Sequence, residues 1–352
     1  DFKLDWREDT LAGVRAPWGE LNKRLLEEGK KPFRLAEEPP IRFVLYDVVE
    51  ETAVLAIVCH HIAMDGLSLA TLLEDVGATY NSKLTGARPV LENVMHYEHF
   101  LTNPAKFGGE KSRSESKLYW ESRFKGPGAL VRWPGGGASK GLAGQRYAQD
   151  FAHVLHEKIK KAAPLHKATP LMLMLTGFFQ TLKKATGQHE ITVGIPVANR
   201  IPDGSDRMLA QCVNLAPIHV KINDAAPWTD LLKDVKSQVI GAFQNMMHPH
   251  EELLAHTKAP LFNVVFNLEP SSDMPDFGDV SLFLHPFPIE QSEYDMMINI
   301  TDVDYLYHAE FDFRTDVIRA DQVRAWVTDY IANLTKIVDS PAAAGPAKPV
   351  TG

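Results

Sequence analysis

The sequence predicts a mixed α/β chain of the α+β kind, with strands and helices interspersed over two domains or one large one. Three observations predict it. Runs rich in β-branched residues and runs with apolar residues at helical spacing follow one another from residue 41 to residue 338. No unit of fixed period repeats along the chain. The chain has 352 residues, which is long for one core, and the Gly/Pro-rich stretch KGPGALVRWPGGGASKGLAGQ (Lys125 to Gln145) reads as a long loop or lobe boundary.

The elements read in order as follows. Ile41 to Val49 and Ala53 to His60 form a hairpin around the turn Glu50 to Thr52, and the second run is almost wholly apolar, as in a strand covered on both faces. Leu69, Leu72, Leu73 and Val76 then recur at helical spacing, so a helix opens near Leu67 with Ser68 as its cap. Glu115 to Phe124 is a helix. Phe151 to Gly187 holds two helices punctuated by Pro164 and Pro170 and ended by Gly187. His189 to Arg200 is a strand, IPDGSD a turn, and Cys212 to Ile222 a strand. Trp228 to Met246 is a helix with Trp228, Leu232 and Val235 on one side. Strands follow at Leu261 to Pro270, Val280 to Phe287, Tyr294 to Val303 and Leu306 to Thr315. A last helix spans Ala320 to Val338, and the tail SPAAAGPAKPV is a linker by composition.

Composition narrows the function. Hydrophobic residues make up 45% and charged residues 23%, and the net charge is -8, which argues against a basic nucleic-acid-binding surface. No apolar run reaches the roughly 18 residues that span a membrane. DFKLDWREDT is too charged for a secretory signal and does not read as a natural start, so a fragment or excised domain is expected. Cys59 and Cys212 stand alone among apolar residues and read as buried, inert thiols of a reducing, cytoplasmic setting. Neither GxGxxG nor GxxxxGK[ST] occurs, which argues against a nucleotide-dependent dehydrogenase or kinase.

The chemistry concentrates in CHHIAMDGLSLA. Side chains alternate along a strand, so His60 and His61 are expected to point to opposite sides, with one imidazole facing a cavity at the strand's end. Asp65 follows in the turn, either to orient an imidazole or to form an ion pair that fixes the loop. Gly66 would allow a backbone conformation that larger residues resist. Two rivals are weaker. Divergent histidines cannot easily chelate one metal ion, and no HExxH is present. Gly66 to Ala70 mimics the G-x-S-x-G nucleophile elbow, but its last glycine is an alanine, and a helix-capping Ser68 explains it as well.

The stretch His60-His61-Ile62-Ala63-Met64-Asp65-Gly66 resembles the HHxxxDG signature of condensation domains of nonribosomal peptide synthetases, including hybrid polyketide–peptide systems. The likeness extends over nearly the whole chain and in the family's order. KPFRLAEEPPIRFVLY is similar to the segment before the motif strand. GQHEITVGIPVANR carries a Gly-x-Pro-x-x-x-Arg pattern. QCVNLAPIHV matches at Val213, Asn214 and Pro217. HPHEELLAH is similar to a Pro-Phe-Glu segment with His250 in the aromatic's place, and QSEYDMMINI and AEFDFRTDVI resemble the closing strands.

The resemblance implies a fold like that of chloramphenicol acetyltransferase: an N-terminal lobe at 1–163, apparently truncated, a C-terminal lobe at 164–340 and a linker tail at 341–352. The lobes would form a V around a central tunnel, with crossover segments at Val197 to Leu215 and Leu284 to Asp295. It also implies amide formation between a carrier-bound acyl, peptidyl or polyketide thioester and a carrier-bound aminoacyl acceptor. His61 would be the catalytic imidazole, with His60 packed behind it, Asp65 structural and Gly66 shaping the turn; Asn214 and Ser292 would be candidate substrate-channel residues. In the family an arginine of an early motif pairs with the motif aspartate. No equivalent precedes Lys31, so Asp65 is left without an assigned partner. No intrinsic cofactor or metal is implied: substrates ride on the phosphopantetheine of donor and acceptor carrier proteins, beside adenylation or polyketide synthase domains, with no nucleic acid and no membrane. The motif is shared with stand-alone acyltransferases that use acyl-CoA, and a non-catalytic carrier-docking module is the alternative of another class.

Overall fold

The hairpin expected at residue 41 is the frame of the smaller of two compact units. The structure, a computed structural model, describes residues 3–102, 109–137, 141–200, 207–269, 274–303 and 305–340; the expected turn at 201–206 and the linker tail at 341–352 lie outside the described residues. The smaller unit comprises Asp1–Gly109, Ala198–Val213 and Asp273–Ile289, and the larger comprises Glu110–Val197, Asn214–Ser272 and Glu290–Gly352.

In the smaller unit, β1 (Asp5–Thr10) is followed by α1 (Pro17–Lys30), β2 (Ile41–Val49), β3 (Thr52–Cys59), α2 (Gly66–Thr85) and α3 (Tyr97–Thr102). The sheet order is β1-β2-β3, with β1 parallel to β2 and β2 antiparallel to β3. The turn between β2 and β3 uses Glu51 in the left-handed region, at φ 58°. Leu21 and Leu25 of α1 close over Val44, Tyr46 and Val48 of β2 to make the core.

Three of these elements, β1, α1 and the short α3, were not expected. The strand β1 is highly charged and mostly exposed, so its sequence shows no alternation of apolar and polar residues. Ladder bonds to β2 and a forked pair from Arg7 to Glu28, at 2.8 and 2.6 Å, hold it. The signal for α1 was present: Pro17 in the first turn, and leucines four residues apart.

In the larger unit, α4 (Gly109–Arg123) precedes β4 (Gly144–Phe151), α5 (His153–Leu165), α6 (Pro170–Thr186), β5 (Glu190–Val197), β6 (Asn214–Lys221), α7 (Trp228–Gln244), α8 (His250–Thr257), β7 (Val264–Glu269), β8 (Met296–Val303), β9 (Leu306–Arg314) and α9 (Ala320–Asp339). The six strands run in the order β4-β9-β8-β7-β5-β6. The pairs β5–β7 and β7–β8 are parallel and the others antiparallel, so the sheet is mixed. Apolar faces of α5, α6, α7 and α9 join the sheet in one large core. Thr169 caps α6 with Pro170 in its first turn, and Gly187 ends it at φ 71°.

Three expectations shift. The boundary at 163/164 falls inside α5, whereas the compact units part at Gly109/Glu110, because β4 pairs along its whole length with β9. Val280 to Phe287 forms no strand; its chain belongs to the smaller unit, and Phe283 is 88% exposed. The two stretches read as crossover segments overlap Ala198–Val213 and Asp273–Ile289, which join the smaller unit although they lie late in the sequence. No helix among the described residues is long and apolar enough to cross a membrane.

Candidate active site

The strand β3 ends at Cys59, one residue earlier than its sequence suggests. Both histidines therefore lie in the turn beyond it, and strand alternation does not set their directions. His60 does not pack into a wall; both imidazoles are exposed. The turn is built by His60. Its N–H donates to the Pro40 carbonyl at 2.9 Å, its carbonyl accepts from Ala63 N–H at 3.0 Å, and its Nδ1 accepts from Ile62 N–H at 3.1 Å. Because Nδ1 accepts, the proton of the neutral ring sits on Nε2. The His61 ring has no hydrogen-bond partner among the described residues, so it is the imidazole left available to a reactant.

Beneath the turn lies a buried polar hub. Asp65 is the N-cap of α2, and its Oδ1 accepts from Ser68 N–H at 2.9 Å. The same oxygen lies 2.8 Å from Ser68 Oγ and accepts from Arg200 Nη2 at 2.5 Å. Its Oδ2 accepts from Cys212 N–H at 3.1 Å. The Arg200 guanidinium also donates to the carbonyls of Met208 at 2.5 Å and Ala210 at 3.1 Å. Ser68 Oγ accepts from Ala210 N–H at 3.0 Å and lies 2.9 Å from the Ala210 carbonyl. One carboxylate thus clamps the start of α2 to the returning segment Ala198–Val213, all within the smaller unit.

These contacts correct three readings. Asp65 has a partner, Arg200, which is the arginine of the Gly194-x-Pro196-x-x-x-Arg200 pattern; the signal was in the sequence, 135 residues downstream of the aspartate it serves. Ser68 is not the cap of α2. It is fully buried at the third helical position, where its N–H is capped by Asp65 and its hydroxyl is spent in the hub. Gly66 adopts an ordinary helical backbone, and a Cβ there would meet nothing within 4 Å, so neither conformation nor crowding demands a glycine.

Asn214 and Ser292 belong to the larger unit, and both are engaged by the backbone. The Asn214 amide donates to the carbonyls of Met246 and His248, at 3.0 and 2.7 Å, while its Oδ1 accepts from the N–H groups of Leu215 and His250, both at 2.9 Å. It pins the loop between α7 and α8, and no donor or acceptor position is left for a substrate. Ser292 is buried, and its hydroxyl donates to the Tyr294 carbonyl at 2.7 Å. Burial pushes the thiols of Cys59 and Cys212 up, away from the reactive thiolate. Among the described residues no group of three or more His, Cys, Asp or Glu side chains is arranged to hold a metal ion.

Comparison with known proteins places this geometry. The chain is 26% identical over 361 residues to an isonitrile lipopeptide synthase of Mycobacterium tuberculosis, covering 96% of this chain and 14% of the relative. It is 23% identical over 345 residues to surfactin synthase subunit 1 of Bacillus subtilis, covering 95% and 9%. It is 26% identical over 302 residues to the phosphinothricin tripeptide synthetase PhsC of Streptomyces viridochromogenes, covering 82% and 28%. The chain thus spans less than a third of each of these relatives.

Among solved structures, the first condensation domain of the calcium-dependent antibiotic synthetase superposes with a TM-score of 0.82 at 17% identity, over 96% of this chain and 76% of that one. The condensation domain of the monacolin K polyketide synthase MokA gives 0.78 at 17%, over 97% and 80%. The fold is therefore that of condensation domains, of the chloramphenicol acetyltransferase type. The condensation-domain family model matches residues 18–345, a span that takes in the histidine turn, Asp65 and Arg200, and the chain belongs to the condensation-domain family, the acyltransferases that form peptide bonds in nonribosomal peptide synthesis.

Proposed function

We propose that this chain joins a carrier-bound acyl or peptidyl thioester to the amine of a carrier-bound aminoacyl group, with His61 as its catalytic residue. The observation that carries the reading is one exposed, unengaged imidazole on a turn that the His60 ring and both carboxylate oxygens of Asp65 hold in place. The amine attacks the thioester carbonyl, the tetrahedral intermediate expels the thiol, and an amide remains. The amine must lose a proton along the way. Free α-amines titrate near pH 7.7–8.0, roughly, so an appreciable fraction is already neutral at cellular pH. His61 then orients the amine and takes its proton as the intermediate forms. The substrates reach the site on phosphopantetheine arms of donor and acceptor carrier proteins, and adenylation or polyketide synthase domains are the neighbours that load them.

Asp65 does none of this chemistry in the proposal. Both its oxygens are occupied in the buried hub, so it holds the turn that carries His61. The test is product formation from loaded donor and acceptor carriers. His61→Ala is expected to lower turnover by roughly 10²–10⁴-fold at an unchanged melting temperature. Near-full turnover of that variant overturns the assignment. Carrier binding without turnover in the unsubstituted chain favours a docking module, and turnover with acyl-CoA in place of the loaded donor favours a stand-alone acyltransferase.

A further inference from the structure

In the smaller unit, residues 207–212 run beside α2 toward its cap, in the direction opposite to the helix. Their contacts step along it in order. The Cys212 N–H reaches Asp65, the carbonyls of Ala210 and Met208 reach the Ser68 hydroxyl, and Arg207 reaches Glu74 and Asp75. Among the described residues no backbone–backbone hydrogen bond holds this stretch. The N–H and C=O groups it engages meet the side chains of Asp65, Ser68 and Arg200 instead. A strand takes its register from its ladder; here side chains must supply it. Met208, Ala210 and Cys212 are buried in a small core against Met95. Apolar contact is non-directional, so this core draws the stretch inward without fixing its place along the helix.

Two polar anchors fix that place. The near one is the hub at the cap. The far one is Arg207, which donates to Glu74 from Nη1 and to Asp75 from Nη2, the latter at 2.8 Å, while Glu92 stands 3.5 Å from its Nε. Its side chain is 18% exposed, so the pairs are neither buried nor freely solvated. A guanidinium forked over two successive carboxylates of one helix fixes position as well as charge. These carboxylates lie roughly 14 Å along α2 from its cap. Met208 follows Arg207 in the chain, and its carbonyl accepts from Arg200 Nη1 at 2.5 Å. A slip of Arg207 along α2 therefore moves that carbonyl, then the guanidinium that pairs with Asp65, then the turn that carries His61.

We propose that Arg207 is a positioning residue for the reaction: by fixing residues 207–212 along α2, it sets where Arg200 holds Asp65 and so where the His61 imidazole stands. The inference deepens the proposed function and rests on that reading for the role of His61. Stability and turnover separate at this residue. An ion pair partly open to water adds little to stability. A displacement of about 1 Å at a reacting group can cost roughly 100-fold in rate.

The test is steady-state turnover of the full chain with loaded donor and acceptor carriers, beside melting and amide hydrogen exchange. Arg207→Ala is expected to lower kcat at least about tenfold, with KM for both carriers and the melting temperature unchanged. The amides of Ala210 and Cys212, which bond only to hub side chains, are expected to exchange at least about tenfold faster. Arg207→Lys keeps the charge without the fork and is expected to fall between the two. Arg207→Glu sets a third acid against Glu74 and Asp75 and is expected to lose at least as much as Arg207→Ala. Adding Glu74→Arg and Asp75→Arg to it is expected to restore kcat to within about threefold. Arg24→Ala removes ion pairs to Asp9 and Glu20 that do not touch this stretch, and is expected to keep turnover. A kcat for Arg207→Ala equal to that of the unsubstituted chain, a change confined to KM, or an equal loss in Arg24→Ala overturns the proposal. If His61→Ala keeps full turnover while Arg207→Ala still slows it and frees the two amides, the role of His61 fails and the anchoring of the hub by Arg207 stands.

Discussion

Arg200 donates from Nη2 to Oδ1 of Asp65 at 2.5 Å, with both side chains almost wholly out of water. Removing one partner of such a buried pair leaves the other charge uncompensated, at a cost of about 3–5 kcal/mol. Asp65→Ala also strips α2 of its cap, so it is expected to be the most damaging substitution at the hub. Urea denaturation of Asp65→Ala and Arg200→Ala is expected to show losses on this scale, with turnover lost alongside the fold. The double variant is expected to lose less than the sum of the two, because the second substitution removes an already orphaned charge. A purely additive cycle would show that the pair is not energetically coupled.

His60 and His61 are neighbours with separable work. The His60 ring accepts from Ile62 N–H, and its backbone closes the turn with Pro40 and Ala63. His60→Ala loses one side-chain acceptor and is expected to cost about 1 kcal/mol in stability. His60→Asn supplies an oxygen at similar reach and is expected to recover most of that loss and most of the turnover. The His61 ring makes no such bond, so His61→Asn is expected to recover no turnover. Paired melting and turnover measurements on the three variants check the division. Rescue at position 61 would mean that a hydrogen-bonding group there suffices, without an imidazole.

How far the sequence carried this picture depended on range. The helices α6, α7 and α9 were legible from local signals, such as Thr169 before Pro170 and Gly187 after Thr186. The strand β1 was not, because a charged strand is recognised only by its partner, and Ile41–Val49 lies more than thirty residues away. Val280 to Phe287 looked like a strand by composition, yet in the structure it pairs with no strand. At the site the motif was plain and the wiring was not. Asp65 and Arg200 sit 135 residues apart, and nothing local says that the arginine ending one strand reaches the cap of a distant helix. Strand alternation assigned directions to His60 and His61 that vanish once the strand stops at Cys59. Asn214 was recognised as special, but its four backbone bonds, three of them to residues more than thirty positions away, make it a pin rather than a substrate contact.

Gly66 separates what a motif demands from what the fold demands. It opens α2 with ordinary helical angles, and the space beside it is empty. Glycine in a helix is less favourable than alanine by up to about 1 kcal/mol, so Gly66→Ala is expected to leave the melting temperature unchanged or slightly raised. A marked loss of stability would show that the fold itself needs the glycine. With stability kept, any fall in turnover reports the room that a substrate requires in front of the helix.

Acid should unsettle the two units through different groups. In the larger unit, burial lowers His248 and His250 below the usual histidine value of 6.5. Neither ring nitrogen of His248 has a hydrogen-bond partner among the described residues. Glu252, 3.6 Å from Nδ1, and Glu121 favour its charged form, while Lys117 and Arg113 oppose it. The unfolded chain therefore binds these protons more readily than the folded one, so stability falls as pH drops below about 6.5 and levels off once the folded-state values are passed. In the smaller unit, Arg7 and then Lys31 hold Glu28 down to about 2, against an ordinary 4.5. Its contribution is complete above about pH 4.5 and is lost as pH falls toward 2. Melting temperatures taken from pH 8 to pH 3 are expected to decline in two ranges. His248→Leu, which removes the buried imidazole, is expected to flatten the decline between pH 6.5 and 5. Glu28→Gln is expected to lower stability at pH 7 and to flatten the decline below pH 4.5. A His248→Leu profile parallel to that of the unsubstituted chain throughout would show that this buried imidazole does not govern the first range.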